Sequence, residues 1–324
     1  LELARGDSAS SYRTARVKNR ERLAKPVISL QEDRKENRAL IVYVNHETTD
    51  RLLSGTGKTL SEYQQVIDRD LTSVATPLSF RLRLDLQVRT EAARGVNIMA
   101  TLPGSDPDLR SRYVVLSAHY DHVGVEDDTV IYHGADDNAS GTAAVMAVAR
   151  AFSLGSTSPK RSLLFLLVSG EEKGLLGSKY FVNHSPIPID RFSGEINLDM
   201  VGRNAPDSIY VIGAGALSED LETITNNAVD HVAGLHLNYR YTTDEDPHPY
   251  YYRSDHYSFA KLDIPSVFFF AGIHDDYHKP ADTPEKLNYR KIAKVAKLSY
   301  LTAKGIANLP RELRLRSTIS DSTE

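Results

Sequence analysis

The chain has 324 residues, 41% of them hydrophobic and 25% charged, with a formal net charge of −4 and no cysteine. That length suits one large α/β domain with a smaller appendage, and the missing cysteines exclude disulfides, thiolate metal sites and cysteine nucleophiles. The weak negative charge leaves no basic footprint for nucleic acid, and no apolar run reaches the roughly 18 residues that a membrane-spanning helix needs.

The start, LELARGDS, lacks the apolar stretch of a signal peptide. The chain therefore reads either as cytoplasmic or as an exported form without its leader. Residues 1–39 are polar and rich in Arg, Lys and Glu, an irregular stretch with short surface helix at most. ALIVYVN (39–45) reads as a strand, and HETTD (46–50) follows it. That pentapeptide opens like the HExxH zinc motif, but its last residue is Asp50, and a strand-like run precedes it where the motif needs a helix. SGTGKT (54–59) echoes a phosphate loop, but Leu52 stands where its first glycine belongs. TLSEYQQVIDRDL (59–71) has a helical pattern, and RLRLDLQVRT (81–90) alternates at period two like a half-buried strand. GVNIMATLPG (95–104) is a further strand, closed by Pro-Gly.

From Tyr113 the pattern changes. YVVLSA (113–118), SLLFLLVS (162–169), EINLDM (195–200), SIYVIGA (208–214) and SVFFFAG (266–272) are short, continuous apolar runs, as strands buried on both faces are. Helices are expected at 139–153, 174–183, 218–232 and 289–308, the first with Val145, Val148, Ala149 and Phe152 on one face. The alternation predicts an α/β three-layer sandwich with a mixed, largely parallel central sheet. Residues 1–91 form an N-terminal segment, 92–310 the core domain and 311–324 a polar tail.

Acids and histidines gather just past these strands: His119 and Asp121 after the first, Glu171 and Glu172 after the second, Asp199 in the third, His278 beyond the last. The turn GADDNASG (134–141) adds Asp136 and Asp137 before the first strong helix. Open α/β sheets bind ligands at the carboxyl ends of their strands. Several carboxylates at one such edge would repel, and a divalent cation supplies the missing charge. His with Asp and Glu, and no Cys, suits catalytic zinc. Two zinc ions, about +4, balance three carboxylates and a hydroxide. One carboxylate of the Asp pair would bridge ions roughly 3.5–4 Å apart, while its neighbour supports the turn. An acid ending a buried strand, as Asp199 does, needs a partner in any case.

The blocks AHYDHVG (118–124), GADDNASG (134–141), SGEEKGLLGS (169–178), INLDMVGR (196–203), SDHYSF (254–259) and DYHKPADTPEKL (276–287) resemble the co-catalytic zinc exopeptidases of metallopeptidase family 28, the family of bacterial leucyl-type aminopeptidases and glutamate carboxypeptidase. The resemblance covers about residues 92–308. It implies that His119 and Asp199 hold one zinc ion, that Glu172 and His278 hold the other, and that Asp136 bridges them and is joined to the next Asp by a cis peptide bond. It further implies that Glu171 is the general base, that Asp121 orients the His119 imidazole, and that Tyr277 steadies the oxyanion. His122, His133, His248 and His274 receive no role and read as surface or supporting residues. Tyr250, Tyr251 and Tyr252 read equally as pocket lining or core.

The expected function is a dizinc aminopeptidase acting on peptides with a free N-terminus, through a hydroxide shared by the ions and Glu171 as base. A carboxypeptidase of the same family is the rival, and it needs a cation such as Arg253 or Arg203 for the substrate carboxylate. A one-zinc glutaminyl cyclase-like acyl transferase and a non-catalytic binding relative also fit the same fold. Exported family members favour the exported form of the chain. Residues 1–91 resemble a shortened protease-associated domain or lid.

Overall fold

The run YVVLSAH buries side chains on both of its faces, and that decides its place in the middle of a sheet. Val114, Leu116 and Ala118 enter one apolar cluster, while Val115 enters a second on the opposite face. The computed structural model describes residues 27–33, 44–78, 83, 89–156, 158–241 and 249–316. The strands expected at 39–45 and 81–90 and the residue His248 lie largely or wholly outside these.

The chain divides into two units, Leu1–Ala93 and Arg94–Glu324. In the first, α1 (His46–Leu53) is capped by the Asn45 side chain, which accepts from the Thr48 amide. HETTD thus opens a helix, contrary to the reading from the preceding run. It is still no zinc motif, because the Asp50 carboxylate accepts the Leu60 amide at 2.7 Å. Helix α2 (Leu60–Asp70) starts with a reciprocal Thr59–Glu62 capping box.

The second unit holds a seven-stranded sheet. Its strands are β1 (Ile98–Leu102), β2 (Tyr113–His119), β5 (Ser162–Val168), β6 (Phe192–Leu198), β7 (Ser208–Ile212), β8 (His236–Asn238) and β9 (Ser266–Phe270), in the order β1-β5-β2-β6-β9-β7-β8. A small hairpin of β3 (Val125–Glu126) and β4 (Val130–Ile131) stands apart. The pairs β5–β2, β2–β6, β6–β9 and β7–β8 are parallel, and β1–β5 and β7–β9 are antiparallel. The sheet is mixed and largely parallel, as expected. The two-residue strands and the three-residue β8 are too short to show a period in the sequence.

Helices cover both faces. On one side α3 (Gly141–Ser153), α6 (Glu219–Val229) and α8 (Tyr289–Asn308) pack through Val145, Leu221 and Val295. On the other, α4 (Leu176–His184) and α7 (His256–Ala260) contribute Phe181, Val182 and Phe259. A short helix α5 (Ala214–Leu217) follows β7. Among the described residues no helix is long and apolar enough to cross a membrane. The parallel strands β5, β2, β6 and β9 all end on the same edge, where the site lies.

Candidate metal centre and active site

Parallel strands with aligned carboxyl ends deliver His119 from the last residue of β2, Glu171 and Glu172 from the turn after β5, and Asp199 from the residue after β6. The loop after β9 adds His274, Tyr277 and His278. The turn Ala135–Ser140 runs from the hairpin into α3 and carries the Asp pair.

Two donor sets meet around one carboxylate, that of Asp137. His119 Nε2 lies 3.3 Å from Asp137 Oδ1 and 3.3 Å from Asp199 Oδ1. His278 Nε2 lies 3.1 Å from Asp137 Oδ2 and 3.0 Å from Glu172 Oε2. The sets His119–Asp137–Asp199 and His122–Asp137–Glu172 each hold three donor atoms close enough for one ion.

The carboxylate common to the two sets is therefore that of Asp137. The resemblance put Asp136 there, but the structure turns Asp136 away. Its Oδ1 accepts the Gly202 amide at 2.6 Å, and its Oδ2 lies 3.3 Å from His274 Nε2. The cis bond also sits one residue later than expected, between Asp137 and Asn138. Neighbouring side chains in an irregular turn point in different directions, and backbone angles decide which one faces inward. Asp137 (φ −107°, ψ 87°) and Asn138 (φ −136°, ψ 45°) both lie outside the helical region.

The turn is held from several directions. The Asp282 carboxylate accepts the Asp136 amide at 3.0 Å and the Asp137 amide at 3.1 Å. Asn138 donates to the Leu198 carbonyl and accepts from the Gly141 and Met200 amides. Gly134 has φ 63°, and a Cβ there would fall 2.6 Å from the Asp137 carbonyl oxygen and 2.6 Å from His122 Cγ. Only glycine fits.

His119 Nδ1 donates to the Asp121 main-chain carbonyl at 3.1 Å, which turns the Nε2 lone pair inward in the neutral ring. Asp121 thus orients the imidazole through its backbone. Its carboxylate also stands by the ring, with Oδ1 3.7 Å from His119 Nδ1, and accepts the Glu171 amide at 3.2 Å. Ser254 donates to Asp199 Oδ2 at 2.8 Å and leaves Oδ1 facing His119.

Charge at the site is unbalanced. Burial alone would lower the His119 pKa, but Asp199 and Asp137 outweigh it and hold it well above the ordinary value. His278 is pushed up to about 9, the facing Asp137 and Glu172 again outweighing burial. Burial would raise Asp137, yet the imidazoles of His119 and His278 hold it below the usual carboxylate range. Burial raises Glu171 well above the carboxylate range, with Asp199 and Asp255 adding to it. The cluster thus attracts positive charge, as protons or as a cation.

The spacing of the donors suits a cation. His119 Nε2, His122 Nδ1, His278 Nε2, Asp199 Oδ1 and Glu172 Oε1 are buried without an aligned hydrogen-bond partner, although oxygens and nitrogens stand within about 3 Å of one another. Donors set this close can converge on one bound ion. Zinc bonds of about 2.0–2.1 Å at tetrahedral angles put donors roughly 3.3 Å apart, so the residues present fit zinc.

A cavity opens beside this cluster. Asp137, Glu171 and Asp199 line one side, and Met200, Tyr250, Phe268, Phe270 and Ile273 form an apolar side, with Arg253 and Tyr277 also on the wall. The Tyr277 ring stacks on His278 with centroids 3.9 Å apart. Burial and the nearby carboxylates raise its phenol above the ordinary value, so it stays protonated. Arg203, the other cation considered for a substrate carboxylate, is taken up by Asp276 at 2.7 Å and by Asp282 at 3.8 Å. Of the tyrosine run, Tyr250 lines the cavity. His122 and His274, read from sequence as surface or supporting residues, are both buried against carboxylates. The spacing of His122, three residues after His119, was the one signal available for it.

Residues 97–303 match the family model described as Peptidase family M28. Leupeptin-inactivating enzyme 1 of Streptomyces exfoliatus is 33% identical over 198 residues, which cover 61% of this chain and 40% of that protein. A solved aminopeptidase from Aneurinibacillus sp. strain AM-1 is similar with a TM-score of 0.54 at 28% identity, covering 68% of this chain and 50% of that one. BSAP, a zinc aminopeptidase from Bacillus subtilis, shares the fold with a TM-score of 0.55 at 24% identity, over 67% of this chain and 52% of its own. The chain spans about half the length, or less, of these proteins.

Proposed function

Because the chain belongs to Peptidase family M28, we propose that it is a dizinc aminopeptidase, with His119, Asp137 and Asp199 around one ion and Asp137, Glu172 and His278 around the other. The observation that carries this reading is the shared Asp137, whose two oxygens face different imidazoles. When bound, the ions supply Lewis-acid polarisation of a carbonyl and a water acidic enough to attack near neutral pH.

The chain's own groups do the rest. Glu171 lines the same cavity as Asp137 and Asp199. It takes the proton of the attacking water and passes it to the leaving amine. Its amide, held by Asp121, fixes where the carboxylate begins its reach. The protonated Tyr277 phenol donates to the oxyanion as it forms. The acids on the cavity wall attract a substrate ammonium group, and the apolar side receives the N-terminal side chain. Two donor sets favour this chemistry over one-zinc cyclisation.

The test is hydrolysis of aminoacyl chromogenic substrates, free and N-acetylated, by zinc-loaded protein. Turnover of the free amines alone is expected. No turnover with two ions bound, or equal turnover of the blocked substrates, would sink the reading. One observation favours a second reading: Arg253 lies on the cavity wall, its guanidinium 5.3 Å over the Tyr250 ring, with no ion pair among the described residues. It is placed to meet a substrate carboxylate, as a carboxypeptidase requires. Hydrolysis of N-acetylated peptides that have free carboxylates, lost in Arg253→Ala, would select that reading.

A further inference from the structure

Strand β6 is buried along its whole length, yet it carries Glu195 and Asn197 at alternate positions and ends at Asp199. Alternate residues of a strand share a face, so Glu195 and Asn197 lie opposite Ile196 and Leu198, which enter the core around α3 and α8. Ser117 of β2 stands in register with Asn197. Glu195, Asn197 and Ser117 are fully buried, and Ser254 nearly so. A run of close contacts leads through them to the metal centre. Glu195 Oε1 lies 2.6 Å from Ser117 Oγ, Ser117 Oγ 3.1 Å from Asn197 Oδ1, Asn197 Nδ2 2.7 Å from Ser254 Oγ, and Ser254 Oγ 2.8 Å from Asp199 Oδ2.

Each hydroxyl has a single hydrogen, and that fixes the direction of the chain. An ionised Asp199 can only accept, so the Ser254 hydrogen goes to it. Ser254 then accepts from Asn197 Nδ2. Asn197 Oδ1 therefore faces Ser117 and takes the Ser117 hydrogen. Turning the Asn197 amide over would require Ser254 to donate twice. Ser117 has nothing left to give Glu195, so the hydrogen in the 2.6 Å contact comes from Glu195.

A second observation agrees. Glu195 Oε2 is buried with no hydrogen-bond partner among the described residues. The Ser266 hydroxyl beside this carboxyl gives its hydrogen to the Ile264 carbonyl at 2.9 Å. An ionised carboxylate would leave charge unpaired on Oε2, whereas a neutral acid leaves only a carbonyl oxygen. Burial pushes the Glu195 carboxyl well above the ordinary carboxylate range, and Asp255 adds to it, against the Ser117 contact.

We propose that Glu195 is a neutral carboxylic acid donating to Ser117, and that Ser117 is a positioning residue which, through Asn197 and Ser254, ties down Asp199 Oδ2 and leaves Oδ1 for the metal. This rests on the dizinc reading above, which makes Asp199 an ionised ligand. The rival is an ionised Glu195 that simply accepts from Ser117. It leaves Asn197 Oδ1 and Ser117 Oγ 3.1 Å apart with no hydrogen between them, and it strands a charge in a buried layer.

The test uses the full chain loaded with zinc. Infrared difference spectra of wild type against Glu195→Gln, at neutral pH, read the proton directly. The carbonyl stretch of a protonated carboxyl group should be present in wild type and missing from the variant. Loss of an ionised-carboxylate band instead overturns the proposal. Calorimetric zinc titration of the metal-stripped chain reads the positioning. Ser117→Ala should weaken one of the two steps by about tenfold, the lower end for a partner outside the ligands, and leave the other unchanged. Both steps moving together, or neither moving, counts against it. Glu195→Gln still offers Ser117 a donor and should hold both steps near wild type; a lost step there would show that the charge matters and not the donated hydrogen. If wild type binds fewer than two ions, the dizinc reading and this inference fail together. If it binds two and the protonated-carboxyl band does not change, only this inference fails.

Discussion

Replacing Gly141 by alanine would test how tightly the metal turn is built. Gly141 is the first residue of α3, where alanine ordinarily gains up to about 1 kcal/mol over glycine. Here the added Cβ would fall 2.2 Å from the Leu198 carbonyl oxygen and 2.3 Å from Asn138 Oδ1. An ordinary carbon–oxygen contact is about 3.3 Å, so roughly 1 Å must open. Neither atom is free to move. The Leu198 carbonyl ends β6 and accepts from Asn138, and Asn138 Oδ1 accepts the amides of Gly141 and Met200. The strain passes directly to Asp137 and Asp199, which adjoin Asn138 and Leu198 in the chain. Overpacking costs about 1–3 kcal/mol; at the upper end, less the helix gain, about 2 kcal/mol remains. For a unit of this size that lowers Tm by about 4–8 °C. Thermal unfolding of the metal-free protein and zinc titration measure both consequences. A Tm at or above wild type, with zinc uptake unaltered, would refute the reasoning.

Asp137→Asn should lose both ions, because both donor sets share that carboxylate. Asp136→Asn should keep both, as its side chain faces Gly202 and His274; metal counts after dialysis distinguish the two. Glu171→Ala should retain two ions while kcat falls about 10²–10⁴-fold, and an active variant would remove its role as base. Asp276 is held at about 2, against 3.8 for a free side chain, by Arg203 and Lys286. A folded pKa below the unfolded one contributes stability in full above about pH 4, lost as pH falls toward about 2. Thermal melts across that range should show a shallower acid decline in Asp276→Asn than in wild type.

Much of the fold was legible because burial leaves a pattern. Continuous apolar runs marked the strands from Tyr113 onward, and helical spacing marked α3 and α8. The parallel alternation alone was enough to put His119, Glu172, Asp199 and His278 on one edge. What the sequence by itself determined about this protein was the ordered set of elements and the residue types at their ends. Only the tertiary structure decided which donors face inward: Asp137 instead of Asp136, His122 beside His278, Arg203 tied to Asp276 and Arg253 left on the cavity wall, Asp121 acting on His119 through its carbonyl. The physical reason is that periodicity assigns faces within regular helices and strands, where every residue repeats the same backbone angles. In the turns that carry the chemistry each residue has its own angles, and contacts from distant segments, such as Asp282 on the Asp136 and Asp137 amides, select among them.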